Sequence, residues 1–320
     1  MLTRILGRSN IQVSAIGMGC WAIGGPWWRG TTPVGWSKVN DDESIRAIHR
    51  AIDRGVNFFD TADAYGCGHS ERVLGQALAG KRHQVVIATK FGQTFDEAAK
   101  QSLGYDVTPE YVKRACDASL RRLNIDVIDL YQLHVKDVDA SQAKIVRDVL
   151  EDLVAAGKLR WYGWSTDEAD SARIFAAGKH CAAIQQRFNL FEGAAETLRV
   201  CEENNLASIN RSPLAMGMLT GKFSTATKFP DDDIRSHRYD FQGKDAARLN
   251  KLERVRAILT ADGRTIAQAA LGWLLARSDR MIPIPGFKTI VQVEDNAGVL
   301  PRGALSDAQM QEIAEILNDE

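Results

Sequence analysis

The 320-residue chain is 45% hydrophobic and 25% charged, which suffices to bury a large core and excludes an extensively disordered protein. Its formal net charge is −1 and its pI is about 6.6, so no overall positive field favours nucleic acid or an anionic membrane. No apolar run approaches the roughly 18 residues of a membrane span, and the first residues lack the apolar region of a secretory leader. We expect a cytoplasmic protein that acts on small molecules.

The five cysteines are odd in number and widely spaced, with no CxxC pair. This pattern favours free thiols in a reducing compartment. The nearest approach to a metal motif is Cys67-Gly68-His69, which lacks a second pair of ligands at a suitable spacing. We therefore predict no metal site.

The predicted elements begin with two short apolar runs on either side of residues 7–10, which indicate a β-hairpin. Short apolar strands and amphipathic helices then alternate along the chain. The strands are predicted at 16–19, 57–60, 85–90, 127–134, 159–164, 183–186, 207–211 and 281–284. The helices include 42–54, 70–78, 109–123, 140–156 and 265–276.

Four of the helical segments end in the same way, with a glycine shortly before the next apolar run. These residues are Gly55, Gly80, Gly157 and Gly178. A glycine in the left-handed region commonly closes a helix at this position. The repeat therefore predicts one kind of helix-to-strand connection used many times.

Eight strands alternating with helices favour a closed (β/α)8 TIM barrel with an N-terminal β-hairpin across its bottom, in a single domain over residues 1–320. The alternative is a doubly wound open sheet. The GMGCWA segment at 17–22 nominally matches a dinucleotide-binding fingerprint. However, Gly24, Gly25 and Pro26 interrupt the helix that should follow it.

Two connections, 24–40 and 222–245, are long enough to indicate functional or mobile loops. We expect the aspartates at 231–233 to lie on a solvated face of the second loop. Trp27 and Trp36 of the first loop, together with Phe91, suggest an aromatic wall at the barrel mouth.

Four polar residues fall at strand ends or just after them, where a barrel brings them to one face: Asp60, Tyr65, Lys90 and His134. A buried Asp60 needs a cationic partner, and Lys90 is the candidate. A charge about 4 Å from Tyr65 is worth roughly 4 kcal/mol at a dielectric constant near 20, enough to lower the pKa of a phenol by up to about three units. A neutral His134 could donate a hydrogen bond to a carbonyl oxygen.

These residues, in order and in motif context, resemble the Asp, Tyr, Lys and His tetrad of the aldo-keto reductase superfamily. The likeness extends from IGMGCWAIGG at residue 16 to GFKTIVQVEDNAG near the end. It implies NADPH-dependent, reversible reduction of aldehydes or ketones, with NAD as the alternative cofactor. The tyrosine would act as general acid and base, activated by the lysine and aspartate, and the histidine would orient the carbonyl.

The resemblance also implies a set of cofactor-binding residues. In this sequence they are Gly19, Cys20, Trp21, Ser165, Gln185, Arg211, Ser212, Pro213, Leu214, Gly217, Gly221, Lys222, Gly286, Lys288, Gln292, Asp295 and Asn296.

Three positions depart from common family patterns. Thr166 stands where asparagine is frequent, Arg211 where many members have an aromatic residue, and Lys288 where arginine is frequent. The expected partner is a small carbonyl compound or alcohol rather than nucleic acid or membrane. The alternative function is a redox-sensing, cofactor-binding interaction protein of the same fold with little turnover.

Overall fold

The computed structural model describes residues 1–318 and contains one sheet in which eight parallel strands lie side by side in chain order. From first to eighth, the strands are Met18–Gly19, Phe58–Asp60, Val86–Phe91, Ile128–Leu133, Leu159–Ser165, Cys181–Asn189, Ala207–Arg211 and Met281–Pro283. A short strand, Glu192–Gly193, pairs antiparallel with the end of the sixth.

Backbone hydrogen bonds between the first and last strands close the sheet. Gly17 N donates to Pro283 O at 2.9 Å, and Gly19 N donates to Pro285 O at 3.0 Å. Gly19 also forms a parallel bridge with Gly286. The predicted (β/α)8 barrel is therefore confirmed, and the doubly wound alternative is excluded because an open sheet would leave these edges unpaired.

Helices surround the barrel, and the five predicted helices agree with the structure to within one residue at each end. The α-helices are Asp41–Asp53, His69–Ala77, Pro109–Leu123, Ala140–Ala155, Ala169–Ala176, Ala195–Glu203, Arg235–Arg238, Ala246–Thr260, Ile266–Arg277, Ile290–Ala297, Val299–Arg302 and Asp307–Asn318. Short 3-10 helices are Gly7–Ser9, Ala22–Gly24, Arg82–Gln84 and Ala215–Thr220. Within residues 1–318, no helix is both long and apolar enough to traverse a lipid bilayer.

Three of the four helix-closing glycines behave as predicted. Gly55, Gly80 and Gly157 have φ angles of 81°, 74° and 73°, in the left-handed region. The prediction for Gly178 is wrong, because its φ is not positive. A Cβ there would lie 1.9 Å from the Tyr162 hydroxyl, so this glycine permits a close approach and does not supply a left-handed conformation.

The N-terminal hairpin consists of antiparallel strands Thr3–Ile5 and Gln12–Ser14. Between them, Arg8 donates to the carbonyl oxygens of Ala176 and Gly178, both at 3.3 Å, and of Asn204 at 2.6 Å. These oxygens lie at the ends of helices Ala169–Ala176 and Ala195–Glu203, where carbonyls lack helical partners. The predicted hairpin is thus anchored to the barrel through helix ends.

The loops after the first and third barrel strands contain a small sheet that was not predicted from the sequence. Hairpins Trp28–Arg29/Thr32–Pro33 and Gln93–Asp96/Gln101–Tyr105 join through a Trp28–Gln101 pair. The strands have only two to five residues each, too few for a periodicity signal. They stand beside the mouth of the barrel.

The expectation of a solvated aspartate run is wrong for Asp233. Its side chain is buried, and its two oxygens accept from Arg235 at 2.8 and 2.9 Å. Ile234 N donates to Gly35 O at 2.9 Å. The two long loops therefore pack against each other instead of extending into solvent.

Gly7 tests how tightly the hairpin is fitted, because its φ is +51° and a Cβ would lie 2.1 Å from Ala182 O. We expect Gly7→Ala to cost about 2–5 kcal/mol, the sum of left-handed strain and overpacking. The matched control is Gly80→Ala, where φ is +74° but no atom lies within 4 Å of the added carbon. It should cost only about 1–2 kcal/mol. Urea unfolding measures both, and equal losses would contradict the contact.

Candidate active site

The predicted ion pair forms at the centre of the barrel mouth. Lys90 Nζ lies 2.5 Å from Asp60 Oδ1, and both side chains are buried. The ammonium group also donates to Thr61 O at 2.8 Å and to Tyr65 Oη at 3.0 Å. An ammonium has three N–H groups, so all of them are used.

The second oxygen of Asp60 is held by two glutamine amides. Gln132 Nε2 donates to Asp60 Oδ2 at 3.0 Å, and Gln185 Nε2 donates to the same oxygen at 2.8 Å. Gln132 was missed from the sequence. It could have been found from its position, because it is a polar residue in an apolar strand and lies two positions before His134, so both side chains point to the same side.

The ion pair keeps Lys90 charged despite its burial. Removal from water by itself lowers the pKa of the ammonium group, but the negative charge of Asp60 and the hydrogen bonds to Asp60 and Tyr65 raise it above its usual value overall. Lys90 is therefore a fixed positive charge beside the phenol at neutral pH.

The expectation that Lys90 lowers the pKa of Tyr65 is wrong in its net direction. Burial raises the pKa of this phenol and outweighs the lowering effect of the Lys90 charge. The sequence showed the neighbouring charge but not the loss of water around the ring. Tyr65 is thus a protonated phenol at neutral pH.

His134 stands edge-on to Tyr65, with ring centroids 5.8 Å apart. Burial lowers the pKa of the imidazole well below its usual value, and the charges of Lys90 and Arg211 lower it further. The ring is therefore neutral at physiological pH, which is the state in which it could donate a hydrogen bond to a carbonyl oxygen.

A cavity of about 890 Å³ extends from these residues to the last helices of the barrel. Asp60, Tyr65 and His134 line one end, and Lys90 lies behind Tyr65, fully buried. The cavity is also lined by fifteen of the predicted cofactor residues: Gly19, Trp21, Ser165, Gln185, Arg211, Ser212, Pro213, Leu214, Gly217, Lys222, Gly286, Lys288, Gln292, Asp295 and Asn296.

Two predicted cofactor residues are placed elsewhere. The Cys20 side chain is buried in the hydrophobic core, where its Sγ lies 3.8 Å from Met18 O. Gly221 does not line the cavity, and a Cβ there would lie 2.4 Å from Ile266. Its left-handed φ of 72° closes the turn after Ala215–Thr220. Neither residue therefore lines the cavity.

Comparison with known proteins identifies the family. A sequence model described as "Aldo/keto reductase family" matches residues 15–318. The chain belongs to the aldo/keto reductase family. It is 34% identical over 322 aligned residues to aldo-keto reductase yakc, named for NADP(+), from Schizosaccharomyces pombe; the alignment covers 98% of this chain and 90% of the relative.

Solved structures of other aldo/keto reductases share this architecture. A glycerol dehydrogenase from Gluconobacter oxydans superposes with a TM-score of 0.85 at 32% identity, covering 98% of this chain and 94% of that one. An aldo/keto reductase from Klebsiella pneumoniae, solved with NADP and acetate, gives 0.70 at 26% identity, with 99% and 95% covered.

In this aldo/keto reductase, Arg211 and Thr166, which depart from common family patterns, both have hydrogen-bond partners nearby. Arg211 forms an ion pair with Asp167, whose other oxygen accepts from Arg187 N at 2.6 Å. Thr166 Oγ1 accepts from Glu168 N at 3.1 Å. Asp167 and Arg187 also line the cavity and were missed from the sequence.

The aromatic wall of the reductase is only partly as predicted. Trp27 and Trp36 line the cavity, and Trp21 stacks on Tyr65 with ring centroids 6.1 Å apart. Phe91 does not contribute, because it is fully buried and stacks on Tyr131 at 4.5 Å.

The far end of the cavity is formed by helix Ile290–Ala297 and the residues just before it. Gln292 Oε1 accepts from Lys288 N at 2.7 Å, and Lys288 Nζ donates to Ser37 O at 2.9 Å. Asn296 Nδ2 donates to Gly286 O at 3.3 Å. Asp295 Oδ1 accepts from Thr265 Oγ1 at 2.7 Å, which ties this end to the neighbouring helix.

Residues 1–318 contain no group of three or more His, Cys, Asp or Glu side chains placed to hold a metal ion. All five cysteines are free and buried.

The dependence of Asp60 on its countercharge can be measured through stability. Lys90→Met should lower the free energy of unfolding by about 3–5 kcal/mol, because it leaves a buried carboxylate without its cation. The double variant Lys90→Met/Asp60→Asn removes the stranded charge and should recover part of that loss. Urea unfolding at neutral pH compares the three proteins. A Lys90→Met protein as stable as wild type would show that Asp60 is solvated.

Proposed function

We propose that this aldo/keto reductase reduces the carbonyl group of an aldehyde or ketone with NADPH and oxidises the corresponding alcohol in the reverse direction. The observation that carries the proposal is the placement of a protonated phenol and a neutral imidazole side by side on a cavity wall, with a buried ammonium group behind the phenol.

Tyr65 is the proposed proton donor. Lys90 donates to its phenolic oxygen, so the phenol proton remains available to a molecule in the cavity. The nicotinamide of NADPH supplies the hydride when it is bound. An alkoxide is a far stronger base than a phenolate, so Tyr65 can protonate it even with a raised pKa. The Lys90 charge then stabilises the phenolate that forms.

His134 is the proposed carbonyl-orienting residue. No residue within 1–318 forms a hydrogen bond with its buried Nδ1. A proton on Nδ1 would therefore be a buried N–H without an acceptor, which is costly. The tautomer with the proton on Nε2 leaves an unpaired acceptor at Nδ1 in place of an unpaired donor, and it presents an N–H to the carbonyl oxygen.

The cavity residues fit NADPH at both ends. Near the tetrad, Ser165 and Gln185 offer polar atoms for a carboxamide, and none of residues 1–318 donates to Gln185 Oε1. At the far end, Lys288 supplies a cation for the 2′-phosphate and the Gln292 amide nitrogen is a donor for the adenosine. NADH lacks the phosphate that Lys288 would bind.

The alternative is a redox-sensing, cofactor-binding interaction protein of the same fold. It would bind NADPH through the same cavity but turn over little. Steady oxidation of NADPH with simple aldehydes and ketones separates the two functions, and a panel of carbonyl compounds and alcohols tested with both nicotinamides would also indicate the substrate range.

Tyr65→Phe tests the proton donor. It should lower kcat for carbonyl reduction by about 100- to 10,000-fold, the usual contribution of a general acid, while the Kd for NADPH stays nearly unchanged. The matched control is Tyr131→Phe, which removes a buried hydroxyl that has no hydrogen-bond partner among residues 1–318. Stopped-flow reduction and fluorescence titration measure the two quantities. A Tyr65→Phe enzyme with most of its activity would exclude Tyr65 as the acid.

Lys288→Glu tests cofactor selection. A charge-assisted contact to the 2′-phosphate is worth about 1.5–3 kcal/mol, so the variant should lose roughly tenfold to a hundredfold in NADPH affinity and much less in NADH affinity. The loss should shrink at high ionic strength as screening weakens the electrostatic part.

The control for the change in net charge is Lys228→Glu, a lysine of the second long loop that does not line the cavity. Quenching of tryptophan fluorescence gives both dissociation constants at low and high salt. Equal losses for NADPH and NADH would show that Lys288 does not bind the 2′-phosphate.

A further inference from the structure

Gln132 connects Asp60 and Gln185 through its amide group. Its Nε2 donates to Asp60 Oδ2 at 3.0 Å, and its Oε1 accepts from Gln185 Nε2 at 3.1 Å. The Gln132 side chain is fully buried and does not line the cavity, so it does not touch a bound molecule. Any effect on ligand binding must therefore act through its neighbours.

The ionised carboxylate determines which way both amides point. An aspartate carboxylate can only accept hydrogen bonds, so each glutamine must turn its NH2 group toward Asp60 Oδ2. The Gln132 oxygen lies 3.1 Å from Gln185 Nε2 and accepts the second N–H of Gln185. Both hydrogens of the Gln185 amide are thereby used.

As a result, the Gln185 amide has a defined orientation at the cavity wall. Gln185 lines the cavity, and its Oε1 receives no hydrogen bond from residues 1–318. Because this oxygen has no partner among the described residues and is not fully enclosed by their atoms, it is open to the cavity. This wall therefore presents an acceptor, which selects a ligand group that carries N–H.

The strand geometry holds Gln132 in this position. It pairs in register with Lys90 on one side and with Gly163 on the other. A Cβ at Gly163 would lie 3.6 Å from Gln132 Cγ and 2.3 Å from Ala183 O, so the glycine keeps the fourth, fifth and sixth strands close enough for the amides to meet.

We propose that Gln132 is a positioning residue for cofactor recognition: it holds the Gln185 amide with its oxygen toward the cavity, so that this site accepts a hydrogen bond from the N–H of the nicotinamide carboxamide. The inference rests on the proposed function in taking a nicotinamide as the ligand. Without Gln132, one Gln185 hydrogen loses its acceptor, and only the hydrogen bond to Asp60 Oδ2 still holds the amide.

The probes are NADP+ and its 3-acetylpyridine analogue, in which a methyl ketone replaces the carboxamide and removes the N–H donors. Trp21 and Trp36 line the cavity, so quenching of tryptophan fluorescence reports binding without turnover. Wild type should bind NADP+ about tenfold or more tightly than the analogue, because the analogue leaves an acceptor unpaired.

In Gln132→Met, which keeps the side-chain length, this preference should fall to about threefold or less, since a Gln185 amide held only by Asp60 can shift and offer its unused N–H to the ketone. The matched control is Gln186→Met. Gln186 is a fully buried glutamine on the sixth strand that donates to Ser208 Oγ at 2.7 Å and does not line the cavity. Its variant should keep the wild-type preference.

Gln132→Asn, which retains an amide too short to reach both partners, should behave like Gln132→Met and serves if the methionine variant does not fold.

Three outcomes would overturn the inference: an unchanged preference in the Gln132 variants, an equal loss in Gln186→Met, or no preference in wild type. Carbonyl turnover is measured separately. A wild-type protein that shows the predicted cofactor preference but reduces no aldehyde or ketone contradicts the proposed function and supports the role of Gln132. Carbonyl reduction with an unchanged preference in the Gln132 variants supports the proposed function and contradicts the role of Gln132.

Discussion

The buried ion pair between Asp60 and Lys90 is the interaction on which the rest of the site depends. A carboxylate and an ammonium group removed from water are stable only if each also satisfies its remaining hydrogen-bonding capacity. Lys90 does so through Thr61 O and Tyr65, and Asp60 through two glutamine amides. The hydrogen bonds around Asp60 and Lys90 therefore offset the free energy cost of burying the two charges.

The two oxygens of Asp60 support two different groups at the same end of the cavity. Oδ1 binds Lys90, which contacts the phenol beside His134. Oδ2 accepts hydrogen bonds from the Gln132 and Gln185 amides, so Gln185 Oε1 faces the cavity. One negative charge thus maintains the cation beside the proposed proton donor and the polarity proposed for carboxamide recognition. We expect changes at this carboxylate to affect both.

The long loops form a strap over the far half of the cavity. The Arg235 guanidinium lies 4.4 Å from the ring centroids of both Trp36 and Phe229, and its charge is paired with Asp233. Lys288 is bound to Ser37 in the same region. In the proposed cofactor complex, Lys288 would exchange this contact for the 2′-phosphate, so its net contribution to cofactor selection would be the difference between two interactions.

The sequence by itself determined the alternation of strands and helices, the barrel, the hairpin and the tetrad, because periodicity and the order of strand ends are local properties that a barrel converts into neighbours. It did not determine the roles of Gln132 and Asp167 or the loop sheet, because these depend on how side chains and loops fit together and not on the order of the strands. Nor did it determine the pKa of Tyr65. The charge beside the phenol follows from strand order, but the loss of water around the ring depends on how all the surrounding segments pack, and only the tertiary structure decides that.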